Sequence, residues 1–363
     1  MNDSSIVITA QAGVPVLLIS EPGTGKTAWL NAVASALDRH LETLIGSICD
    51  PTDIGGQPMR VNGHCEYAPP GWFVRLRESK TKGRQGGMLF GDELTSCPPT
   101  VQAPLLRLYS ERRLHCGELP TDTLLFAACN PPEQAAAGHD LAPPMANRLA
   151  HFTWNPPATD WITGMVAGWP APRVPLLPSN WEARLPAAKA LVASFIRANP
   201  TLLHVFPTDE AQRSGPWPSR RTWDLVARTI AAHDALNIAA DEAVPALVGA
   251  GAAIAFLDWR RNQNLPDPEA LLANPGTFVM PERDDIAFTV LNSVVGAALG
   301  RLTAQRWAAA WDILAVAVRG GLVDVAAIAA RALAATLPAG VTKIPPAAAA
   351  FLPALQKAGI VGR

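Results

Sequence analysis

The stretch Leu17–Leu30, LLISEPGTGKTAWL, decides the fold of this chain. Its first residues are apolar and predict a buried strand, while residues 28–40 carry apolar side chains at the spacing of one helix face. Between them lies SEPGTGKT, residues 20–27, a glycine-rich turn of the kind that binds phosphate through backbone N–H groups and a helix N-terminus. The sequence therefore predicts a phosphate-binding loop.

Ser20 departs from the usual pattern, GxxxxGK[ST], which has glycine at this position. Serine adopts an extended or right-handed backbone without strain, so the departure matters only where φ must be positive. We therefore expect phosphate binding to be retained. The residues expected to contact the nucleotide are Glu21, Pro22, Gly23, Thr24, Gly25, Lys26 and Thr27. Among these, Lys26 would reach the β- and γ-phosphates, and the Thr27 hydroxyl would bind Mg²⁺.

A second apolar run, MLFGDEL at Met88–Leu94, ends in two adjacent carboxylates. Two like charges at a strand end cost free energy unless a ligand uses them. Asp92 suits a carboxylate that holds Mg²⁺, mostly through water, and Glu93 suits the base that orients and deprotonates an attacking water. Gly91, inside the same strand, predicts that a neighbouring element approaches the backbone closely.

Further polar side chains follow at strand and helix ends. Asn130 ends the apolar run TLLFAACN and could position the attacking water, although an Asn-Pro pair also forms turns. Arg148, in PPMANRLAHF, is predicted on a short helix before a strand, as an arginine that stabilises charge on a neighbouring subunit's nucleotide or as a surface residue. Arg220 and Arg221 follow Ser219 at a predicted helix start, where cations favour an anionic partner. We favour Arg221 over Arg220 as the arginine that contacts this anion.

Short apolar runs alternate with helical stretches between Val16 and Phe152, a pattern typical of an α/β core with a parallel sheet flanked by helices. Such sheets bind ligands beyond the carboxyl ends of their strands. We predict this core at residues 1–155, a Pro-rich connector at 156–186, and a helical region at 187–363. The helices predicted beyond the core are Ala187–Asn199, Ser219–Ala232, Ala240–Arg260, Asp285–Leu299 and Arg301–Thr336.

The 363 residues carry a formal net charge of −1, and 49% of them are hydrophobic. This balance disfavours a general nucleic-acid-binding surface and predicts a sizeable core. No secretory signal or membrane-spanning run is evident, and the five cysteines lack metal-ligand spacing. We expect a cytoplasmic protein with reduced, mostly buried cysteines, and its alanine-rich, arginine-over-lysine composition is typical of a high-GC bacterial source. Tryptophans 72, 161, 169 and 181 are expected to pack Pro-rich connectors, with a partner surface as the alternative.

Together, SEPGTGKT, GGMLFGDELTSCPPTVQAPLLRLYSERRL, FAACNPP and MANRLAHF resemble the AAA+ ATPases. With DPTDIGGQPMRVNGHCEYAPPGWFVRL they resemble, more narrowly, the MoxR group in the clade that has an insert in helix 2. The resemblance covers about residues 17–232 and implies an AAA+ P-loop core, an α-helical lid, further C-terminal helices, and the cofactors ATP and Mg²⁺. By resemblance the Walker A residues are Lys26 and Thr27, the Walker B residues Asp92 and Glu93, sensor 1 Asn130, the arginine finger Arg148 and sensor 2 Arg221.

Members of this family form ring hexamers, and many act with a protein bearing a von Willebrand factor A domain to remodel or activate a target. The resemblance therefore implies a homo-oligomeric ring and such a partner, without membrane association. A hairpin at Val61–His64 matches the helix-2 insert, and a second hairpin in residues 110–123 would direct Arg112, Arg113 and His115 towards a central channel. The alternative is two ordinary surface hairpins. The long Pro-rich passage leaves open whether Arg221 acts on its own nucleotide or a neighbour's.

The leading prediction is an ATP-hydrolysing ring that remodels or activates a protein partner. One alternative is a nucleic-acid-stimulated motor on the same core, against which the net charge weighs. Another is a nucleotide-gated scaffold with weak hydrolysis, against which the presence of Glu93 and Asn130 weighs. A small-molecule kinase would share the phosphate loop but would not need Asn130, Arg148 and the helical half together.

Overall fold

The computed structural model describes residues 3–131, 140–263, 265–341 and 345–352. The chain divides into two compact units, the first formed by Met1–Pro178 with His204–Gly251 and the second by Ser179–Leu203 with Ala252–Arg363. These units divide the chain by packing, and the predicted division at residues 155 and 186 stays a prediction. Most of the Pro-rich connector and the helix that begins at Arg220 group with the sheet.

The first unit contains a parallel sheet, as predicted, and this sheet has five strands. Its strands are β1 (Val16–Ile19), β2 (His40–Ile45), β5 (Gly87–Asp92), β8 (Leu124–Cys129) and β9 (Ala150–Thr153), in the spatial order β2-β5-β8-β1-β9. The inner strands β5 and β8 are almost wholly buried, which explains their continuous apolar sequences. Two antiparallel hairpins complete the strands: β3 (Gln57–Val61) with β4 (His64–Ala68), and β6 (Arg113–Leu114) with β7 (Gly117–Glu118).

Helices surround this sheet and form the second unit. Those up to the Pro-rich passage are α1 (Asp3–Gln11), α2 (Lys26–Ala36), α3 (Pro51–Gly55), α4 (Gly71–Arg77), α5 (Pro99–Glu111), α6 (Pro143–Ala146) and α7 (Ala158–Ala167). The later ones are α8 (Leu185–Ala198), α9 (Arg220–Ala235), α10 (Pro245–Arg261), α11 (Pro268–Ala273), α12 (Asp284–Gly300), α13 (Ala304–Arg319) and α14 (Val323–Ala334). No helix of the described residues is both long enough and apolar enough to cross a membrane.

Two predicted helices end earlier than their apolar spacing indicated. The helix predicted to reach His40 ends at Ala36, because Asp38 adopts a positive φ of 49° and His40 already belongs to β2. The helix predicted over residues 301–336 is two helices, α13 and α14, separated at Gly320 and Gly321. Gly321 has φ of 77°, a left-handed conformation that ends helices and suits glycine.

Gly91 lies inside β5, and the close approach that it predicted is confirmed. A Cβ atom at this position would collide with the hydroxyl oxygen of Tyr109, which lies on α5. That hydroxyl donates a hydrogen bond of 2.8 Å to the carbonyl oxygen of Phe126 on β8. Tyr109 is fully buried, and burial raises the pKa of its phenol. The glycine therefore makes room for a contact that joins α5 to two strands.

Both predicted hairpins are present, but Arg112 of the second hairpin does not have the predicted position facing a channel. The first turns at Asn62 and Gly63, which have φ of 50° and 87°, as a two-residue turn requires. Arg112 does not face a channel: its guanidinium is largely buried and donates to the carbonyl oxygens of Thr123 and Gly13. Desolvation lowers its pKa to about 10.

The other two side chains of the second hairpin are accessible from its surface. Arg113 pairs with Glu118 at 3.2 Å across the hairpin. His115 stacks on Tyr67 of the first hairpin, with ring centroids 4.8 Å apart. The two hairpins therefore contact each other, and the sequence analysis did not predict this contact.

Helix α7 projects from the first unit with its apolar side chains exposed. Trp161, Met165 and Val166 have exposed fractions of 58%, 61% and 85%, and Gly164 is its one buried residue. Gly164 is covered by the ring of Trp169 from the segment that follows. Of the four tryptophans expected to pack connectors, Trp161 and Trp169 are instead exposed, whereas Trp72 lies in the core beneath the sheet.

The second unit has its own apolar core, built from the helices α11 to α14, and α8 packs on α12 of this core. Helices α8 and α12 approach so closely that a Cβ atom on Gly296 would collide with Pro186. Trp307 and Trp311 of α13 are fully buried in this core. Residues 353–363, the end of the predicted C-terminal helical region, lie outside the described residues.

All five cysteines are free thiols, as predicted, but they are not mostly buried. Cys97 and Cys129 are buried, Cys49 and Cys116 are partly exposed, and Cys65 is exposed on the first hairpin. Burial raises the pKa of Cys97 and of Cys129 to about 12.

Candidate functional site

The predicted site residues from the phosphate loop and β5 meet at the carboxyl ends of the central strands. Ile19, the last residue of β1, is paired with Cys129, the last residue of β8. The backbone N–H of Ser20 donates to the carbonyl oxygen of Cys129 at 3.3 Å. Asn130, the next residue after β8, is therefore beside the start of the phosphate loop. The parallel sheet brings these positions together at the carboxyl ends of its strands, where the sequence analysis expected a ligand to bind.

The phosphate loop has the backbone that its glycines permit. Gly23 and Gly25 have φ of 77° and 88°, and no atom lies within 4 Å of a Cβ atom built at either position. Conformation rather than space therefore explains both glycines. Ser20 is buried and is not among the residues with positive φ, so its serine causes no strain.

Lys26 is folded against the start of its own loop. Its ammonium donates to the Ser20 carbonyl oxygen at 3.0 Å, the Ser20 hydroxyl at 2.7 Å and the Glu21 carbonyl oxygen at 3.1 Å. Burial lowers the pKa of Lys26, and the charges of Asp92 and Cys129 oppose this shift. The Ser20 hydroxyl is thus an acceptor for the lysine, a role that a glycine at this position could not have.

Thr27 and Asp92 are the two residues predicted to hold Mg²⁺, and they are in contact. The Thr27 hydroxyl donates to Asp92 Oδ2 at 3.4 Å, while Asp92 Oδ1 accepts from the Glu93 backbone N–H at 2.9 Å. A hydroxyl and a carboxylate are hard oxygen donors of the kind that Mg²⁺ prefers, and Mg²⁺ in nucleotide sites takes few protein ligands. The described residues contain no cluster of three or more His, Cys, Asp or Glu that could hold a metal. The pair therefore fits Mg²⁺ bound with phosphate and water.

Glu93 has a left-handed backbone, with φ of 56° and ψ of 43°. Such a conformation costs a non-glycine residue on the order of 1 kcal/mol or more and persists where its surroundings hold it. Its carbonyl oxygen accepts from the Ser96 N–H at 2.9 Å, and a Cβ atom on Gly46 would lie 3.0 Å from that oxygen. The chain therefore turns sharply at the predicted base, and residue types alone did not predict this turn.

Trp154 supports the phosphate loop, although the sequence analysis did not identify it. Its indole N–H donates to the carbonyl oxygen of Thr24 at 3.3 Å. Its ring packs on Trp29 of α2 with centroids 4.5 Å apart, and Trp29 donates to Asp3 at 3.2 Å. The only sequence signal was a tryptophan directly after the strand that contains His151 and Phe152.

Arg148 and Arg221 form a second group of predicted site residues. Arg148 lies in the turn after α6 rather than on the helix itself, and its guanidinium donates to the Pro144 carbonyl oxygen at 2.5 Å. Burial lowers its pKa, the nearby charge of Arg221 lowers it further, and Glu111 opposes both. Arg220 and Arg221 are both exposed at the start of α9, whose first turn is capped by Ser219.

The two groups lie at opposite ends of the strands. The phosphate loop follows β1, whereas Arg148 precedes β9, and these strands run parallel with Val16 opposite Ala150. A four-residue strand such as β9 rises about 13 Å. The structure therefore brings Lys26, Thr27, Asp92 and Glu93 together with the start of the Asn130 turn, and it does not bring Arg148 to the same end of the sheet.

Comparisons with known proteins agree with this architecture. Residues 15–149 match the model of the AAA domain (dynein-related subfamily). The transcriptional regulatory proteins GlrR of Escherichia coli K12 and QseF of Escherichia coli O157:H7 are each 32% identical over 107 residues, which are 30% of this chain and 24% of theirs. The chain thus spans about a quarter of the length of these curated relatives.

Among solved structures, a "putative ATPase" from Cytophaga hutchinsonii is 17% identical, with a TM-score of 0.45 over 65% of this chain and 74% of that one. The domain match is the finding that bears on identity, since it contains the phosphate loop, both carboxylates, Asn130 and Arg148. With their phosphate loop and parallel strands, residues 15–149 are similar to the AAA domain of the dynein-related subfamily.

Proposed function

We propose that this chain is a MoxR-like AAA+ ATPase that hydrolyses ATP in a ring oligomer to remodel or activate a protein partner. The observation that carries the hydrolytic part is the contact between Thr27 and Asp92, with Glu93 next in the chain and Lys26 held under the same loop. Phosphoryl transfer to water needs phosphate positioning, a metal and a base, and this edge of the sheet supplies a group for each.

The roles follow from the chemistry of each side chain. Backbone N–H groups of Glu21–Gly25 and the start of α2 bind the phosphates, and Lys26 exchanges its contacts within the loop for phosphate oxygens. Mg²⁺, held by Thr27 and Asp92, would neutralise charge on the phosphates. Glu93 accepts the proton of the attacking water, and the Asn130 amide orients that water.

The position of Arg148 supports assembly of several subunits. It lies at the amino end of β9, about one strand length from the level of its own phosphate loop. An arginine so placed is directed to a nucleotide on another copy. The exposed apolar side chains of α7, which follows β9, also support association, because such a surface is unusual on a monomer.

The two contacting hairpins are the elements that we propose to act on a protein partner. They carry exposed residues of mixed chemistry, including Met59, Tyr67 and Arg113, and they are joined through His115. A partner with a von Willebrand factor A domain is the class that the MoxR-like resemblance suggests. The curated relatives are named transcriptional regulators, so DNA stimulation of the ATPase rate is the measurement that would favour a nucleic-acid motor instead.

Mixing two inactive variants tests the ring. Arg148→Ala is expected to lower the ATPase rate on the order of 10³-fold while the phosphate loop still binds ATP, because the arginine contacts a neighbouring subunit's nucleotide and contributes most to the charge that develops during reaction. Glu93→Gln is expected to be inactive because it lacks the base that accepts the proton of the attacking water. Mixed subunits combine an intact Glu93 from one variant with an intact Arg148 from the other, so part of the rate returns. Mixtures of wild-type protein with each variant are the control that shows whether subunits exchange. If subunits exchange but the ATPase rate of the two mixed variants does not recover, Arg148 does not act on a neighbouring subunit's nucleotide.

A further inference from the structure

Arg148 lies near enough to Arg221 for the charge of Arg221 to lower its pKa, and the charge of Glu111 opposes this shift. Among the described residues, neither is joined to a carboxylate in an ion pair, and the buried Nε atom of Arg148 has no hydrogen-bond partner. Adjacent like charges cost free energy unless an anion binds between or beside them. Paired guanidinium groups suit phosphate oxygens, which they bind with charge-assisted hydrogen bonds.

A buried asparagine ties the chain segments that carry these arginines. The Asn147 side chain donates to the Trp217 carbonyl oxygen at 3.1 Å and accepts from the Ser219 hydroxyl at 2.7 Å. Asn147 and Ser219 have exposed fractions of 3% and 5%. We call these two hydrogen bonds the Asn147 clamp. Asn147 immediately precedes Arg148 in the chain, and Ser219 caps the helix that begins with Arg220 and Arg221.

Both ends of the clamp are themselves fixed. The Ser219 hydroxyl accepts from the Thr222 N–H at 3.1 Å, and the Ser219 N–H donates to the Thr222 hydroxyl at 2.8 Å. His151 on β9 bonds the Ala146 carbonyl oxygen at 2.8 Å, next to Asn147. Burial lowers the pKa of His151 to about 4, so at neutral pH this contact is made by a neutral imidazole.

We propose that Asn147 is a positioning residue that holds Arg148 and Arg221 together as one two-arginine site for the triphosphate of an adjoining subunit. The inference rests on the proposed function. It also assigns the anion contact to Arg221 rather than to its rival Arg220, because these neighbours point about 100° apart around α9 and Arg221 is the one whose charge acts on Arg148. Since the clamp ties Arg221 to Arg148, both arginines act on the same nucleotide.

The first test replaces Asn147 with leucine, which has a similar volume and neither hydrogen-bonding group. The expected result is a fall in kcat of about tenfold to a hundredfold with KM for ATP changed less than about threefold, since a small displacement of a catalytic group costs rates of this size. In a variant that already carries both Arg148→Ala and Arg221→Ala, adding Asn147→Leu should cause no further loss of kcat, because the clamp acts only through these two arginines. Independent, multiplying losses of kcat would contradict the proposal.

A pair of substitutions at Ser219 keeps the test decisive if Asn147→Leu does not fold. Ser219→Ala removes the hydroxyl that binds Asn147 and should lower kcat, whereas Ser219→Thr keeps a hydroxyl and should restore it. Thr303→Ala is the matched control, because Thr303 also caps a helix, α13, by accepting from the Arg306 N–H at 3.2 Å, but lies in the second unit. A purely structural role for Ser219 predicts that Ser219→Ala and Thr303→Ala lower the melting temperature alike and leave kcat unchanged.

A second readout does not depend on turnover. A non-hydrolysable ATP analogue should stabilise the wild-type oligomer against dilution, because the arginine pair of one copy would contact the triphosphate of the next. Asn147→Leu should lose most of this gain, as Arg148→Ala should, while Thr303→Ala keeps it. If the wild-type protein does not hydrolyse ATP, the proposed function fails; if wild type hydrolyses ATP and Asn147→Leu matches it in both readouts, this inference alone fails.

Discussion

At the scale of single residues, the contacts made by Gly91, Ser20 and Asn147 depend on one or two atoms. Gly91 leaves the space that the Tyr109 hydroxyl occupies, and Ser20 supplies the hydroxyl that accepts from Lys26. Asn147 joins two distant segments through both atoms of its amide. Each contact explains why a residue of that size and chemistry occupies its position.

Gly91→Ala should destabilise the protein by roughly 1–3 kcal/mol, because the added methyl group collides with the Tyr109 hydroxyl. Chemical denaturation followed by circular dichroism measures the change in midpoint. Adding Tyr109→Phe to Gly91→Ala removes the colliding oxygen and should recover part of the loss, although the hydrogen bond to Phe126 is lost too. Gly251→Ala is the control, since no atom lies within 4 Å of a Cβ atom there. A Gly91→Ala midpoint equal to that of Gly251→Ala would contradict this account.

Residue types predicted most of the site residues at the phosphate-loop end of the sheet. They predicted few of the contacts that hold those residues in place. The loop, Asp92, Glu93 and Asn130 follow apolar runs, so strand ends could be recognised and their meeting inferred from parallel topology. The left-handed backbone of Glu93 lies close to Gly46, and the loop support from Trp154 comes from a contact 130 residues away. Such contacts leave no periodic signal along the chain.

At the scale of elements, the strands and hairpins agreed with their sequence patterns better than the helix ends did. The alternation of apolar runs marks buried strands well, and Asn62-Gly63 marks a tight hairpin turn. Apolar spacing continued past Ala36 and past Gly320, where backbone conformation rather than apolarity ends the helix. Helix α1 was not predicted, because it is buried on most of its residues and has little amphipathic contrast.

Helix α7 has an apolar sequence, but most of its apolar side chains are exposed. An isolated helix of 10 residues is marginal in water, yet this one exposes nearly all of its apolar side chains. We expect it to be covered in the assembled protein. Replacing Trp161 and Met165 together by serine should weaken self-association by about tenfold in the dissociation constant, or about 1.4 kcal/mol, measured by sedimentation across a concentration series.

The thermal midpoint of the dissociated α7 variant should stay close to that of the wild-type monomer, because the replaced side chains are exposed on the single chain. Val279→Ser is the matched control, since Val279 is 82% exposed and lies in the second unit. Unchanged self-association of the Trp161 and Met165 variant, or equal weakening by Val279→Ser, would show that α7 is not a contact between copies.

At the scale of the whole molecule, residues 15–149 match an AAA domain, and the chain also has helices beyond that match that the motifs did not assign. The predicted division at residues 155 and 186 was based on proline content, whereas the compact units are defined by which segments pack together. Helix α9 packs with α1 in the first unit, and Ser5 bonds His233 at 2.9 Å. Packing of this kind, between residues far apart in sequence, cannot be inferred from one sequence.

The central claim is that this chain hydrolyses ATP with Glu93 as the base, and comparison of wild type with Glu93→Gln tests it most directly. The account predicts that the variant binds Mg²⁺ and ATP with affinity within about threefold of wild type while kcat falls at least about a hundredfold, because the isosteric amide cannot accept the proton. Glu282→Gln, an exposed glutamate of the second unit, is the control and should hydrolyse normally. Undiminished turnover by Glu93→Gln, or a wild-type protein that binds ATP without hydrolysing it, would contradict the account.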